Sequence, residues 1–420
     1  MTAEEAIAYL NHYSWSATRL GLGRTRELLA RLGNPQKGLK FIHVAGSNGK
    51  GSSCAMFESV LRAAGYRTGL YISPYVERFE ERIQSGGRLI PPERLASVTE
   101  RVRAAAEAME DHPSQFELIT AAAMLYYAEE RCDIVVLEVG MGGEKDSTNA
   151  IDAPELAVVA NIGLEHTEYL GNTIGEIAAT KAGIIKPGCA CACYDGPPEA
   201  TAVLRRVCAE KGVPLRRADL SRLEQLENSL DGQRFRWDGR EYRIPLLGPH
   251  QLHNAALVLT GLELLRERGW ELPEDAVRDG LARVRWPARL EVLRREPLFL
   301  LDGGHNPQCA EALAQSLDAL LPGQKLVFLT GVLADKDYGR IYERLLPRAS
   351  EFICVTPDSP RALAGEALAA YLRSRGAKAE SRADVGEALS LTLERARNGP
   401  AAAFGSLYLA GQVRTLFRNF

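Results

Sequence analysis

No apolar run in this chain approaches the roughly 20 residues a helix needs to cross a bilayer. The first residues, Met1-Thr2-Ala3-Glu4-Glu5, lack the basic and apolar regions of a secretory signal. Both absences point to a soluble, cytoplasmic protein with no membrane partner. An excess of one charge is also lacking: 51 Lys and Arg stand against 54 Asp and Glu, a net charge of −3. That balance excludes the broad basic field of a nucleic-acid binder, so an anionic ligand must be held by local donors. Short-period repeats and low-complexity segments are missing, which excludes a solenoid. Cysteine is thinly spread. Only Cys189-Ala-Cys191-Ala-Cys193 forms a cluster among the eight, and no second pair completes a zinc site. A buried strand filled with small thiols is the expected outcome.

What is present is an ordinary globular mixture, 46% hydrophobic and 25% charged, in 420 residues. At roughly 150 residues per domain this length suggests two or three domains. Continuous apolar runs at 41–45, 134–139, 156–160, 298–301, 326–329 and 352–355 read as strands covered on both faces. Helices between them are expected over about 91–111, 173–185 and 251–268, the last ending at Gly269. The segment Leu220–Ile244 contains an Asp238-Gly239 turn and reads as an antiparallel hairpin. The boundary falls near Trp286-Pro287, giving domains 1–286 and 287–420.

The strongest chemical signal is His43-Val44-Ala45-Gly46-Ser47-Asn48-Gly49-Lys50-Gly51-Ser52, between a strand and a helix. Glycines let the backbone turn several N–H groups toward one anion, and the next helix N-terminus adds positive potential. Lys50 supplies a point charge, and Ser52 offers an oxygen to Mg²⁺. The spacing is not a strict Walker A: Val44 stands where its first glycine is expected, and Gly51 separates Lys50 from the hydroxyl. Glu138 ends a strand before the glycine turn Gly140-Met141-Gly142-Gly143. Ligands collect at that edge of an open α/β sheet, and a carboxylate there suits Mg²⁺.

Gly46-Ser47-Asn48-Gly49-Lys50-Gly51-Ser52 resembles the phosphate loop of the Mur ligase superfamily, and its Gly-Ser ending resembles the folylpolyglutamate synthase/dihydrofolate synthase branch. Ser47 replaces the usual Thr. Further motifs stand in family order, from about residue 20 to 412. The fold this implies is α/β: an N-terminal P-loop ATPase-like domain with a mostly parallel sheet, then a smaller C-terminal Rossmann-like α/β domain.

The same resemblance implies roles. Ser47, Asn48, Gly49, Lys50, Gly51 and Ser52 would hold ATP, with Asn254 of Gly248-Pro249-His250-Gln251-Leu252-His253-Asn254 as a further contact. Arg289 of Trp286-Pro287-Ala288-Arg289-Leu290-Glu291 would clamp the γ-phosphate, with Ala288 standing for the family's Gly. Asp302 of Asp302-Gly303-Gly304-His305-Asn306-Pro307 would contact the nucleotide, and His305 would lie near the reacting carboxylate or glutamate. Two Mg²⁺ ions are implied. Ser52, Ser73 and Glu138 would serve the first, and His166 of Asn161-Ile162-Gly163-Leu164-Glu165-His166 the second. Lys181 matches a lysine that becomes an N6-carboxylysine in the family. Phe116 and Asp146 match positions that meet the pterin ring. In the Ser73–Ile83 loop, Tyr75 and Glu80 depart from the family's His and Asn.

The implied activity is ATP-dependent ligation of L-glutamate to a folate, to dihydropteroate, or to both, by a monomeric enzyme. The alternatives are a catalytically idle nucleotide-binding scaffold and a Mur-type ligase acting on another carboxylate. The latter is disfavoured because the phosphate loop begins at residue 46, leaving no room for a UDP-sugar domain.

Overall fold

The computed structural model describes residues 1–12 and 21–418. Eight strands of the first part of the chain share one sheet. They are β1 (Phe41–Ala45), β2 (Thr68–Tyr71), β3 (Ile83–Ser85), β4 (Arg88–Leu89), β5 (Ile134–Glu138), β6 (Leu156–Val159), β7 (Ala190–Cys193) and β8 (Leu215–Arg217), in the order β4-β3-β2-β5-β1-β6-β7-β8. From β2 to β8 in that order neighbours run parallel, while β3 and β4 add an antiparallel edge. Every residue of β1, β5, β6 and β7 is buried. Two-faced burial explains why these strands are continuous apolar runs rather than alternating ones.

One face of the sheet packs under the helices Ala3–His12, Pro92–Glu107 and Gln115–Glu129, with Tyr71, Val135 and Leu137 in that core. The same face continues across β6 and β7 under Ile174–Lys181 and Pro198–Lys211, where Cys189, Cys191, Cys193 and Cys208 lie among Ile177, Ala200 and Leu204. Helix Gln115–Glu129 is buried without interruption from Glu117 to Tyr127, so it shows no amphipathic period. Helix Ile174–Lys181 stops earlier than its apolar pattern suggested, and a 3-10 turn, Ala182–Ile184, takes up the rest. Helix Pro249–Glu267 begins two residues before the expected Gln251, because proline is well suited to a first helical turn.

The expected hairpin is a three-stranded sheet, β9 (Leu223–Ser229), β10 (Gly232–Trp237) and β11 (Arg240–Ile244), in the order β11-β10-β9. Both connections are two residues long, which only antiparallel neighbours allow. Asp238 and Gly239 have φ of 50° and 78°, the left-handed pair of a tight hairpin turn.

Six more strands form a second α/β sheet: β12 (Glu291–Arg295), β13 (Leu298–Leu301), β14 (Leu326–Thr330), β15 (Ala349–Cys354), β16 (Ala379–Ser381) and β17 (Ala401–Phe404). Their order is β12-β13-β17-β14-β15-β16, with β12 antiparallel to β13 and the rest parallel. Its core joins Leu300, Phe328 and Phe352 to Leu313, Tyr342 and Leu368 from the covering helices.

The chain forms two compact units. The first holds Met1–Leu223, Trp237–Tyr242 and His253–Val284; the second holds Glu224–Arg236, Arg243–Leu252 and Arg285–Phe420. Among the described residues no helix is long and apolar enough to cross a membrane.

Candidate active site

In the first unit β1 lies between β5 and β6. The helix after β1 leads to β2 on one side, and the chain leaves β5 to cross to β6 on the other. The C-terminal ends flanking β1 are therefore a topological switch point, the crevice where such sheets bind ligands. Four connections open there: Ser73 comes after β2, Glu138 closes β5, the phosphate loop leaves β1, and Asn161–His166 leaves β6.

The phosphate loop is built by backbone geometry. Gly49 has φ of 86° and precedes the helix Lys50–Ala63. A Cβ at Gly49 would lie 2.5 Å from Asn254 Oδ1, so only glycine lets helix Pro249–Glu267 bring that buried amide against the loop. The neighbouring connection braces it. Ser47 and Asn48 N–H donate to the Asn161 carbonyl at 2.7 and 3.3 Å. Ser47 Oγ donates to the Gly163 carbonyl at 2.9 Å and accepts from Gly163 N–H at 3.0 Å. The hydroxyl at position 47 thus works as a brace, which Ser performs as well as the family's Thr.

Two lysines meet at this loop. Lys50 Nζ donates to the carbonyls of Gly46 and Ser47 at 2.9 and 3.2 Å. Lys181, at the end of its helix and only 1% exposed, donates to the same Gly46 carbonyl at 2.9 Å and to Glu165 Oε1 at 2.8 Å. Burial opposes ionisation of Glu165, but Lys50 and Lys181 outweigh it and hold the carboxyl down at about 2. Burial also pulls the Lys181 ammonium down to about 8, against the pull of Glu165. Both partners of Lys181 are acceptors, so this arrangement suits a cation; a carbamate would meet the Glu165 carboxylate with like charge. Glu165 was missed in the sequence. Its signal was an acid beside His166 in the connection that leaves β6.

Glu138 is buried and accepts Ser73 N–H at 3.1 Å, which puts the carboxylate beside the Ser73 backbone. Arg82 Nη1 donates to Ser73 Oγ at 3.2 Å, and its guanidinium lies 5.3 Å from the Tyr75 ring centre. Arg82, also missed in the sequence, pins the Ser73–Ile83 loop. Among the described residues no three His, Cys, Asp or Glu side chains gather into a metal-binding group. Mg²⁺ does not require one: it takes one or two carboxylates, hydroxyls, water and substrate phosphates. Glu138, Ser73 and the buried Ser52 are a donor set of that kind. His166 lies apart from this set in kind. It is exposed, with φ of 44° and ψ of 40°, ahead of the short helix Thr167–Leu170.

Phe116 sits near the start of helix Gln115–Glu129, whose first turn is fixed by a Ser114–Glu117 capping box. Its ring is half-buried, 6.0 Å edge-on from Tyr71, and fits against Gly140, where a Cβ would lie 2.5 Å from Phe116 Cζ. Asp146 is buried in the same glycine-rich connection and accepts N–H groups from Met141 at 2.8 Å and Thr148 at 3.0 Å. Burial raises its pKa against these bonds.

His43, at the centre of β1, is fully buried, and burial followed by the charge of Lys186 pushes it down to about 3. An unfolded chain binds a proton here below the ordinary value of 6.5, whereas the folded chain does not. Its contribution to stability is complete above pH 6.5 and is lost as pH falls toward 3, by at most about 1.4 kcal/mol per pH unit. His43→Gln keeps an N–H near Nε2 but cannot titrate. The variant is expected to lose less stability than the parent between pH 7 and pH 5 in urea melts; equal losses would refute the assignment.

In the second unit, Asp302 directly follows β13 and accepts N–H groups from Gly304 at 2.7 Å and Leu290 at 2.9 Å. Burial raises its pKa, opposed first by Arg289. His305 Nδ1 lies 3.2 Å from the Gly303 carbonyl. These three candidates therefore converge at the end of one strand. Arg289 is framed by Ala288 and Leu290 with φ of 53° and 48°, left-handed conformations that side chains disfavour. Glycine fits position 288 better on these grounds. Ala288→Gly is expected to raise stability by about 1 kcal/mol, read from denaturant midpoints; destabilisation would show that the φ penalty is not the controlling cost.

A phosphate loop with adjacent carboxylate and hydroxyl donors at a sheet's switch point defines a phosphoryl-transfer site. A second α/β unit carrying its own Arg–Asp–His group extends that class to the two-unit amide ligases. Residues 44–261 match the model of the Mur ligase middle domain, and 288–404 that of the Mur ligase glutamate ligase domain. The chain is 36% identical to folylpolyglutamate synthase of Lacticaseibacillus casei, over 99% of this chain and 98% of that one. It is 35% identical to the dihydrofolate synthase/folylpolyglutamate synthase of Bacillus subtilis, over 97% and 98%. A crystal structure of Mycobacterium tuberculosis folylpolyglutamate synthase, complexed with ADP and AMPPCP, superposes with a TM-score of 0.90 at 32% identity, covering 99% of both chains. The chain belongs to the Mur ligase family, within its folylpolyglutamate synthase/dihydrofolate synthase branch, and is an ATP-dependent amide-bond ligase.

Proposed function

We propose that the protein joins L-glutamate to the carboxylate of a folate, of dihydropteroate, or of both, with ATP as the source of activation. The observation that carries this is the meeting of the Lys50 phosphate loop, Glu138 and Ser73 at adjacent strand ends, with the Phe116–Gly140 floor alongside. Relatives of nearly full length bearing both synthase names support the substrate class.

A carboxylate does not condense with an amine in water, because its oxygen is a poor leaving group. Transfer of the ATP γ-phosphoryl group gives an acyl phosphate and ADP. The glutamate amine adds to the acyl carbon, and the tetrahedral adduct collapses to amide and phosphate while the amine's protons pass to solvent. The protein's task is positioning and charge stabilisation. Lys50 and the N–H groups of residues 47–52 hold the phosphates, and Asn254 contacts the nucleotide. Ser52, Ser73 and Glu138 would hold Mg²⁺, which would neutralise phosphate charge, and His166 would serve a second ion. Phe116 stacks on the pterin ring and Asp146 shapes or contacts its edge. Arg289, Asp302 and His305 carry the nucleotide and carboxylate roles that their motifs imply. N6-carboxylation of Lys181 belongs to a state in which Glu165 has turned away; native mass spectra of active enzyme in bicarbonate test for it. The working form is a cytoplasmic monomer.

The test is phosphate release with Mg·ATP and glutamate, with dihydropteroate and tetrahydrofolate supplied separately. Release with both, matched by amide product, marks a bifunctional enzyme, and release with one fixes the substrate. Nucleotide binding with release from neither would overturn the proposal.

A further inference from the structure

The phosphate loop and the glycine-rich connection after β5 are linked by a buried hydrogen-bonded chain that the phosphoryl-transfer chemistry does not use. Asp146 Oδ1 receives both the N–H of Thr148, at 3.0 Å, and its hydroxyl proton; Oδ2 receives Met141 N–H at 2.8 Å. With the single hydroxyl proton of Thr148 directed to Asp146, its oxygen must accept from the other side. There, His43 Nε2 lies 2.9 Å away and serves as the donor. This fixes the tautomer: Nε2 carries the proton and Nδ1 holds a lone pair, buried and without a partner. A buried ring nitrogen left unsatisfied is a cost the fold bears in its central strand. All three side chains are buried.

His43 stands three residues before Gly46 in β1, paired with Leu137 of β5 and Ala157 of β6. It is therefore as firmly placed as any residue in the sheet. At the other end, Asp146 gathers the Met141 N–H next to Gly140, on which the Phe116 ring rests. Asn149 fastens the same connection from behind, donating to the carbonyls of Glu144 and Gly183 at 3.0 and 3.2 Å.

We propose that His43 and Thr148 are positioning residues for the pterin-bearing substrate: from the strand that carries the phosphate loop they orient Asp146, and through it the Gly140–Met141 floor beneath Phe116. The inference rests on the reading of Phe116 and Asp146 as the pterin site. It adds a residue pair with no expected contact to any substrate, whose loss should be felt by one substrate only.

Thr148→Val removes the hydroxyl but keeps the shape, and Thr148→Ser restores the hydroxyl. His43→Leu removes the donor, and His43→Gln returns an N–H near the Nε2 position. Each is assayed for kcat and for the KM of dihydropteroate and of Mg·ATP, beside Phe116→Ala and Asp146→Asn, with thermal midpoints recorded. Thr148→Val and His43→Leu are expected to raise the dihydropteroate KM about tenfold, the loss of one bond in the chain that orients Asp146. The Mg·ATP KM should stay within about twofold, and Thr148→Ser and His43→Gln should return most of the loss. If Thr148→Val raises both KM values together with a fallen midpoint and no rescue by Ser, the pair is merely structural and the inference fails. If Phe116→Ala and Asp146→Asn raise the dihydropteroate KM but the positioning variants do not, the inference alone fails. If Phe116→Ala and Asp146→Asn leave that KM unchanged, the pterin-site reading fails. Should Thr148→Val not fold, His43→Leu with its Gln rescue decides the same question.

Discussion

Lys50→Ala is expected to lower turnover by on the order of a thousandfold while leaving the fold intact. The size comes from removing one charged donor aimed at phosphate, in the range measured when a transition-state donor is deleted. The fold should survive because the Nζ bonds only its own loop, to the Gly46 and Ser47 carbonyls at 2.9 and 3.2 Å. The loop stays tied to the neighbouring helix, since Lys181 also reaches the Gly46 carbonyl at 2.9 Å. The variant further leaves Lys181 as the remaining close cation of Glu165, so that carboxylate stays paired. Lys50→Arg should recover little, since a planar fork does not replace a compact ammonium inside a glycine-walled loop. Steady-state phosphate release and a thermal melt check both halves. A folded Ala variant with parental kcat would remove Lys50 from the phosphate site.

Much of this site was legible because parallel sheets advertise themselves. β1, β5 and β6 are buried on both faces, so each is an unbroken apolar run, and the connection leaving each run lies by geometry at the ligand edge. Gly46 to Ser52, Glu138 and Asn161 to His166 could be placed on that rule before any contact was known. The partners of these residues were not legible. Lys181 reaches Gly46 across 135 positions of sequence, and no local pattern marks a lysine as the buried one. Glu165 reads as a solvated acid until two lysines are seen beside it. Helix Gln115–Glu129 was equally hidden: buried all round, it has no 3.6-residue stripe to betray it. The interleaving of Trp237–Tyr242 and Arg243–Leu252 between two units depends on packing of distant segments, while their sequence carries only strand and turn signals.

Glu138→Gln separates charge from shape at the other side of the phosphate loop. The amide oxygen of Gln can still accept Ser73 N–H, the bond of 3.1 Å that fastens the start of the Ser73–Ile83 loop to β5. Thermal stability should therefore change little, and burial at 5% exposure makes the neutral amide, if anything, easier to accommodate. What disappears is the negative charge. Among Glu138, Ser52 and Ser73 it is the only formal charge, the other two donors being hydroxyls. A divalent cation shared with phosphate oxygens depends on such a charge, because hydroxyls alone do not compensate its dehydration. Turnover is accordingly expected to fall by on the order of a hundredfold or more, an effect of the size seen when a metal site loses a key partner. The apparent affinity for Mg²⁺, titrated at fixed ATP, should weaken in parallel. Glu138→Asp keeps the charge on a shorter arm and should recover part of the Mg²⁺ affinity while loosening Ser73. Equal Mg²⁺ dependence in parent and Gln variant would leave Glu138 as an anchor for the Ser73 loop and move the ion elsewhere. The opposite result, a weakened Mg²⁺ dependence with the melt unchanged, would assign the carboxylate to the metal and the Ser73 contact to holding it in place.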